Sequence, residues 1–240
     1  MSDASGFEPR FGATPRDKLL EAASTLFCRD GINATGVDRI VEAAGTAKTT
    51  LYKCFGSKEK LVEAVLEAEG EAWRTWFVAE VNRSRGGARR KLERIFKVLE
   101  IWFAAPRFYG CPFINAVGEA TKTDDRMRAM ALAHKTVILD EIRRLAREAG
   151  AADPEGLTHQ AAMLIDGAIV EGLLDPARRG AVGRGVGGGL RLPPGFGRRT
   201  AGRPRMPAIT VQGSAVPVRQ PRISIARWGL QLNAKLPKST

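Results

Sequence analysis

The sequence predicts an all-α fold, and three observations carry that prediction. Between residues 14 and 174, apolar side chains recur at three- and four-residue spacing in one segment after another. Helix starts and stops separate those segments: Thr14-Pro15, Gly31, Gly45, Gly56-Ser57, Pro106 and Asp153-Pro154. Two of the segments are short and meet at a glycine, which is the helix-turn-helix pattern. Beyond Leu174 the periodicity ends. Residues 175–240 hold 11 Gly and 8 Pro, too many for long helices to persist.

Residues 1–13 are polar and Gly-containing and read as a flexible arm. Arg10 and the nearby Arg16 are candidates for a minor groove, with a solvated tail as the simpler description. Thr14 caps the first helix and Pro15 opens its first turn. Leu19, Ala22, Ala23, Leu26 and Phe27 form its buried stripe, and Gly31 ends it. Cys28, beside that stripe, reads as a small core residue.

The stretch 35–61 is the most informative. Val37, Ile40, Val41 and Ala44 lie on one side of a short helix. Thr35 precedes it with Asp38 three residues on, a capping-box-like start. Gly45 stops it, because glycine turns through positive φ without a Cβ clash. Ala47, Leu51, Cys54 and Phe55 are the apolar set of a second helix, whose outward face carries Lys48, Thr49, Thr50, Tyr52 and Lys53. A helix of that kind fits a DNA major groove with its first residues on base edges. A solvated basic face on an ordinary helical pair is the plainer alternative. Ser57 then caps a long helix whose first turn holds Lys58 and Lys60, where a bound phosphate would be favoured.

The run A-G-x-x-K-x-T-L-Y-x-x-F-x-S-K-E-x-L over residues 44–61 resembles the DNA-binding domain of the TetR/AcrR family of transcriptional regulators. The likeness extends over residues 14–70. It implies a wingless three-helix domain (residues 14–73, with the helix-turn-helix at 36–55) and a ligand-responsive repressor. Such a regulator works as a homodimer on a palindromic double-stranded DNA operator. It also implies roles: Lys48, Thr49 and Thr50 at bases, Lys53 at groove or backbone, and Tyr52 and Lys58 on phosphates. Thr35 and Gly36 would offer backbone N–H groups to the opposite phosphate. The chain departs from the family in having Ala47 where Ser often caps the reading helix, leaving Thr46 as the candidate cap. Cys54 stands where His or Tyr is common.

The fourth helix should run to about residue 81. A fifth follows through Leu92, Ile95, Phe96, Leu99, Trp102 and Phe103, and Pro106 closes it. After an irregular aromatic corner come a short helix over 114–120 and long ones over 124–149 and 154–174. The corner R-x-x-G-C-P-F-I-N-A resembles a subset of the same family, which implies that residues 74–174 bind a small-molecule effector and form the dimer interface. Trp73, Trp76 and Phe77 are candidates to line that pocket, as are Trp102, Phe103, Phe108 and Met130; core packing satisfies any one of them. Cys111 reads as an inert buried thiol rather than a switch.

Composition narrows the classes. Three cysteines without C-x-x-C spacing point to reduced thiols in a cytoplasmic protein, with neither disulfide frame nor zinc site. No window approaches the roughly 18 uncharged apolar residues of a membrane helix, and no signal peptide is expected. Two histidines on separate helices and no nucleotide or hydrolase motif leave neither an enzyme nor a cofactor expected. The net charge is +12, yet residues 1–174 balance 25 Lys/Arg against 25 Asp/Glu. All the excess sits in residues 175–240, so the pI says nothing about operator binding. That basic tail is expected to be disordered. It reads either as the product of a shifted frame near residue 175, replacing a last amphipathic helix, or as a genuine extension that neutralises phosphates. Loss of that helix would weaken the dimer. The competing functional reading is therefore a helical small-molecule sensor or interaction protein with impaired dimerisation and DNA binding.

Overall fold

Thr14 begins α1 (Pro15–Asp30) through a full capping box: its hydroxyl accepts from the Asp17 N–H at 3.2 Å and the Asp17 carboxylate accepts from the Thr14 N–H at 3.2 Å. The structure, a computed structural model, describes residues 7–175 and residue 179. The described residues form eight helices. The expected 175–240 tail, and the frame-shift reading attached to it, fall almost wholly outside them.

Leu19, Leu20, Ala23, Leu26 and Phe27 line the buried side of α1. They enclose Ile40 of α2 (Val37–Ala43), Leu51 of α3 (Lys48–Phe55) and Leu61 at the start of α4 (Lys58–Asn82). Burial of each such side chain contributes about 1.5–3 kcal/mol, so helices of seven and eight residues hold their place by packing rather than by propensity. Ser57 caps α4, accepting from the Lys60 N–H at 3.2 Å.

The α2–α3 turn is a Schellman closure. Thr46 N–H reaches Val41 O at 2.9 Å and Gly45 N–H reaches Glu42 O at 3.1 Å, with Gly45 at φ +60°. Two expected caps are corrected. Thr35 is fully buried and its hydroxyl donates to Gly31 O at 2.7 Å, so Gly36 is the N-cap of α2 and no side chain caps it. Thr46 does not cap α3 either: Ala47 holds that position, and the buried Thr46 hydroxyl has no partner.

The remaining helices are α5 (Ala88–Phe103), α6 (Pro112–Glu119), α7 (Asp125–Glu148) and α8 (Pro154–Leu174). The long α4 packs against α1 and α3 and also against α5, α6 and α7, so one rod serves both regions. Its buried Glu80 accepts from Arg94 of α5 at 3.0 Å and from Arg83 at 2.7 Å, which pairs an otherwise costly charge. The aromatic corner turns at Gly110 (φ +83°) and is closed by Asn115 Nδ2 donating to Tyr109 O at 2.8 Å. Part of the expected flexible arm is also corrected. Phe7 is buried against Trp76, with ring centroids 5.7 Å apart, and Glu8 pairs with Arg107 at 3.2 Å. An aromatic side chain with an apolar seat leaves solvent even in a polar segment.

Candidate DNA-reading face and effector cavity

Leu51, wholly buried, fixes the rotation of α3 and so decides which side chains face out. Lys48, Thr49, Tyr52 and Lys53 are exposed and Thr50 is half-buried, so these five share the outward side of one short helix. Tyr52, 45% exposed, is large and apolar for a solvent position. Arg16 lies over the Phe55 ring at 5.0 Å, which ties α1 to the end of α3 and takes Arg16 away from an arm role.

Electrostatics modifies two expected contacts. Lys48 Nζ pairs with Asp38 of α2 at 2.9 Å, and the Asp38 carboxylate holds the Lys48 amine above its usual range. Both side chains are open to solvent, so the pair is well screened and a phosphate or base competes for the amine easily. Lys58 Nζ donates to Ile32 O at 2.7 Å, turning its charge toward the α1–α2 turn instead of outward. Thr35 is corrected as a backbone donor to phosphate, because its N–H bonds Ile32 O at 3.3 Å. Gly36 is exposed at the N-terminus of α2, where helix N–H groups favour an anion.

That same α1–α2 turn is held from the other region by a contact the sequence did not disclose. Glu119, the last residue of α6, accepts from the Ile32 N–H at 3.0 Å and the Asn33 N–H at 2.7 Å, while Asn33 Nδ2 donates to Glu119 O at 3.0 Å. A second bridge joins Arg126 of α7 to Glu63 of α4 at 2.5 Å. The start of α2 is therefore tied to the far end of a helix whose near end lines a cavity.

The cavity has a volume of about 490 Å³ and lies among α4, α5, α6, α7 and α8. Trp73 and Trp102, with ring centroids 5.0 Å apart, make one wall, and Phe113, Ile138, Ile165 and Ile169 continue it. Of the expected lining, only Trp73 and Trp102 reach it. Trp76, Phe77, Phe103 and Phe108 are core residues instead, with Phe103 and Phe108 packed ring on ring at 4.9 Å, and Met130 faces a separate groove beside Lys58 and Glu119. Residues at adjacent helix positions point to different sides, so one aromatic stripe cannot all face one void.

Missed were the polar groups on the cavity wall. His134 of α7 stacks on Phe113 at 4.0 Å and accepts from Arg74 Nη1 at 2.9 Å through Nδ1, which leaves the proton on Nε2. Burial first, then the Arg74 charge, pull its pKa down from 6.5 to about 4, so it is neutral near pH 7. Glu69 of α4 accepts from the Ser24 hydroxyl of α1, and burial raises its pKa. Lys135 of α7 pairs with Asp166 of α8. Burial also pushes the Cys28 thiol up to about 12 and raises that of Cys111, so neither is poised as a nucleophile. Among the described residues no cluster of ligating side chains fits a metal ion, and no helix is long and apolar enough to cross a membrane.

Known proteins share both the sequence and the architecture. Residues 19–65 match the model of "Bacterial regulatory proteins, tetR family". The HTH-type transcriptional repressor AcnR of Corynebacterium efficiens is 30% identical over 151 residues, covering 62% of this chain and 72% of that protein. The HTH-type transcriptional repressor KstR2 of Mycolicibacterium smegmatis is 45% identical over 58 residues, which are 24% of this chain and only 28% of KstR2. Among solved structures, a TetR-family transcriptional regulator from Streptomyces coelicolor superposes with a TM-score of 0.67 at 30% identity. That match covers 72% of this chain and 93% of the other. With two short helices meeting at Gly45, an all-helical second region and a relative matched across most of its length, the chain belongs to the TetR family of DNA-binding transcriptional regulators.

Proposed function

We propose that the protein is a ligand-responsive repressor that binds a palindromic operator as a homodimer. The observation that carries the reading is the outward side of α3, where lysine, threonine and tyrosine side chains stand around a buried Leu51. Lys48, Thr49 and Thr50 take the base edges, Lys53 the groove or backbone, Tyr52 a phosphate, and the N-terminus of α2 at Gly36 the opposite phosphate. Lys58 serves indirectly, by fixing the α1–α2 turn.

Pairing is supported by α8. Met163, Val170 and Leu174, spaced by seven and four residues, put an exposed apolar strip on one side of that helix, with Met163 68% exposed. A second copy covers such a strip and sets two reading helices one DNA turn apart. The cavity supports the ligand response: a molecule held against Phe113 and His134 displaces α6, and Glu119 carries that displacement to the α1–α2 turn. The effector then shifts the population away from the spacing that fits DNA, by as much as its affinities for the two states differ.

Footprinting on the gene's own upstream region, combined with sedimentation, tests this. A protected two-fold symmetric site together with a dimer at micromolar concentration supports it. A monomer that protects nothing overturns it in favour of a sensor or interaction protein without operator binding.

A further inference from the structure

We propose that the effector is an uncharged, ring-bearing molecule, because the cavity offers aromatic and aliphatic walls while each ionisable group beside it is already engaged within the protein. The inference rests on reading the cavity as the effector site.

The walls come first. Trp73 and Trp102 meet at 60° with centroids 5.0 Å apart, and Phe113 lies flat on the neutral His134. Ile138, Ile165 and Ile169 complete an apolar lining around about 490 Å³, a size that encloses a drug-sized molecule. Rings packed against such faces gain stacked and edge-to-face contacts, beyond the dispersion that any apolar body of the same volume gains.

The charged groups come next. Glu69, on the cavity wall, is occupied by the Ser24 hydroxyl. A cation finds no open carboxylate: Asp166 is taken by Lys135, and burial favours the protonated form of Glu69. An anion likewise meets lining cations that are engaged, Lys135 with Asp166 and Arg128 with Asp125 at 2.5 Å, while Arg74 donates to His134. An ion entering this space gives up its hydration against an almost wholly apolar lining, whereas a neutral body leaves nothing unsatisfied.

Three probes of one shape separate the classes: 4-butylbenzyl alcohol, 4-butylbenzoate and 4-butylbenzylammonium, titrated calorimetrically into the full chain. The alcohol is expected to bind roughly tenfold or more tightly than either ion. It should also quench the emission of Trp73 and Trp102. Ala131→Trp from α7, or Ala162→Phe from α8, whichever keeps the native melting transition, should abolish binding. If an ion binds as tightly as the alcohol and the filled cavity abolishes that binding, the neutral class is overturned while the cavity stands. If no probe binds or quenches, or binding survives the filled cavity, the effector-site reading falls and takes this inference with it.

Discussion

Replacing Glu119 tests whether the two regions are joined as described. Glu119→Ala removes a carboxylate that accepts from two consecutive backbone N–H groups at 3.0 and 2.7 Å. Hydrogen bonds to a charged acceptor contribute about 1.5–3 kcal/mol each when shielded. Asn33 is exposed and its N–H finds water after the change, so most of the loss comes from the half-buried Ile32. The expected destabilisation is about 2–3 kcal/mol, which for a domain of this size lowers Tm by roughly 4–12 °C. Glu119→Gln retains one acceptor oxygen and should lose about half as much. Thermal unfolding followed by circular dichroism gives the stability. Fluorescence anisotropy on a protected operator gives the second readout, where a few-fold loss is expected because the turn leads directly into the N-cap of α2. A Glu119→Ala protein that melts within about 1 °C of the parent and binds DNA equally well would refute the linkage.

Other substitutions probe the remaining links. Leu51→Ala, at a position with no solvent exposure, should cost about 2–5 kcal/mol in urea unfolding and loosen the reading helix. Tyr52→Phe should weaken binding to operator and random DNA alike, whereas Thr49→Ala should alter sequence preference; equal, sequence-blind losses would count against both roles. His134 predicts a pH dependence. Its folded pKa of about 4 lies below the ordinary 6.5, so the unfolded chain takes up the proton first. Stability is therefore complete above about pH 6.5 and falls as the pH drops toward 4, by on the order of 3 kcal/mol. Urea midpoints measured across that range should show the loss, and His134→Gln should remove it.

Helix positions were legible where a local signal sufficed. Thr14 with Pro15, Gly31, Gly45 and Ser57 each act through their own backbone neighbourhood, and the structure uses each where the sequence marked it. Thr35 and Thr46 misled because a hydroxyl caps a helix only when it is free to turn toward it; here one is drawn to Gly31 O and the other, on a half-buried residue, is shut off from solvent without a partner. The outward side of α3 followed from the apolar set Ala47, Leu51, Cys54 and Phe55, of which only Leu51 is wholly buried. The cavity did not follow, since helical spacing says which side of a helix is buried but not whether a neighbour fills the space beside it. Trp73 and Trp76 look equivalent in sequence, yet one meets the void and the other meets Phe7. Glu119 carried no signal at all. Its partners lie 86 and 87 residues away and are backbone groups, which any residue supplies.

The central claim is that the exposed side of α3 reads a DNA sequence, and one comparison tests it most directly. Anisotropy titrations of the folded protein would use two duplexes of equal length and composition at about 150 mM salt, one from the gene's own upstream region and one with the order shuffled. The upstream duplex should bind about a thousandfold or more tightly, a preference that vanishes when Lys48, Thr49 and Thr50 are all replaced by alanine. Equal affinity for both duplexes, with the same salt dependence, would contradict the claim.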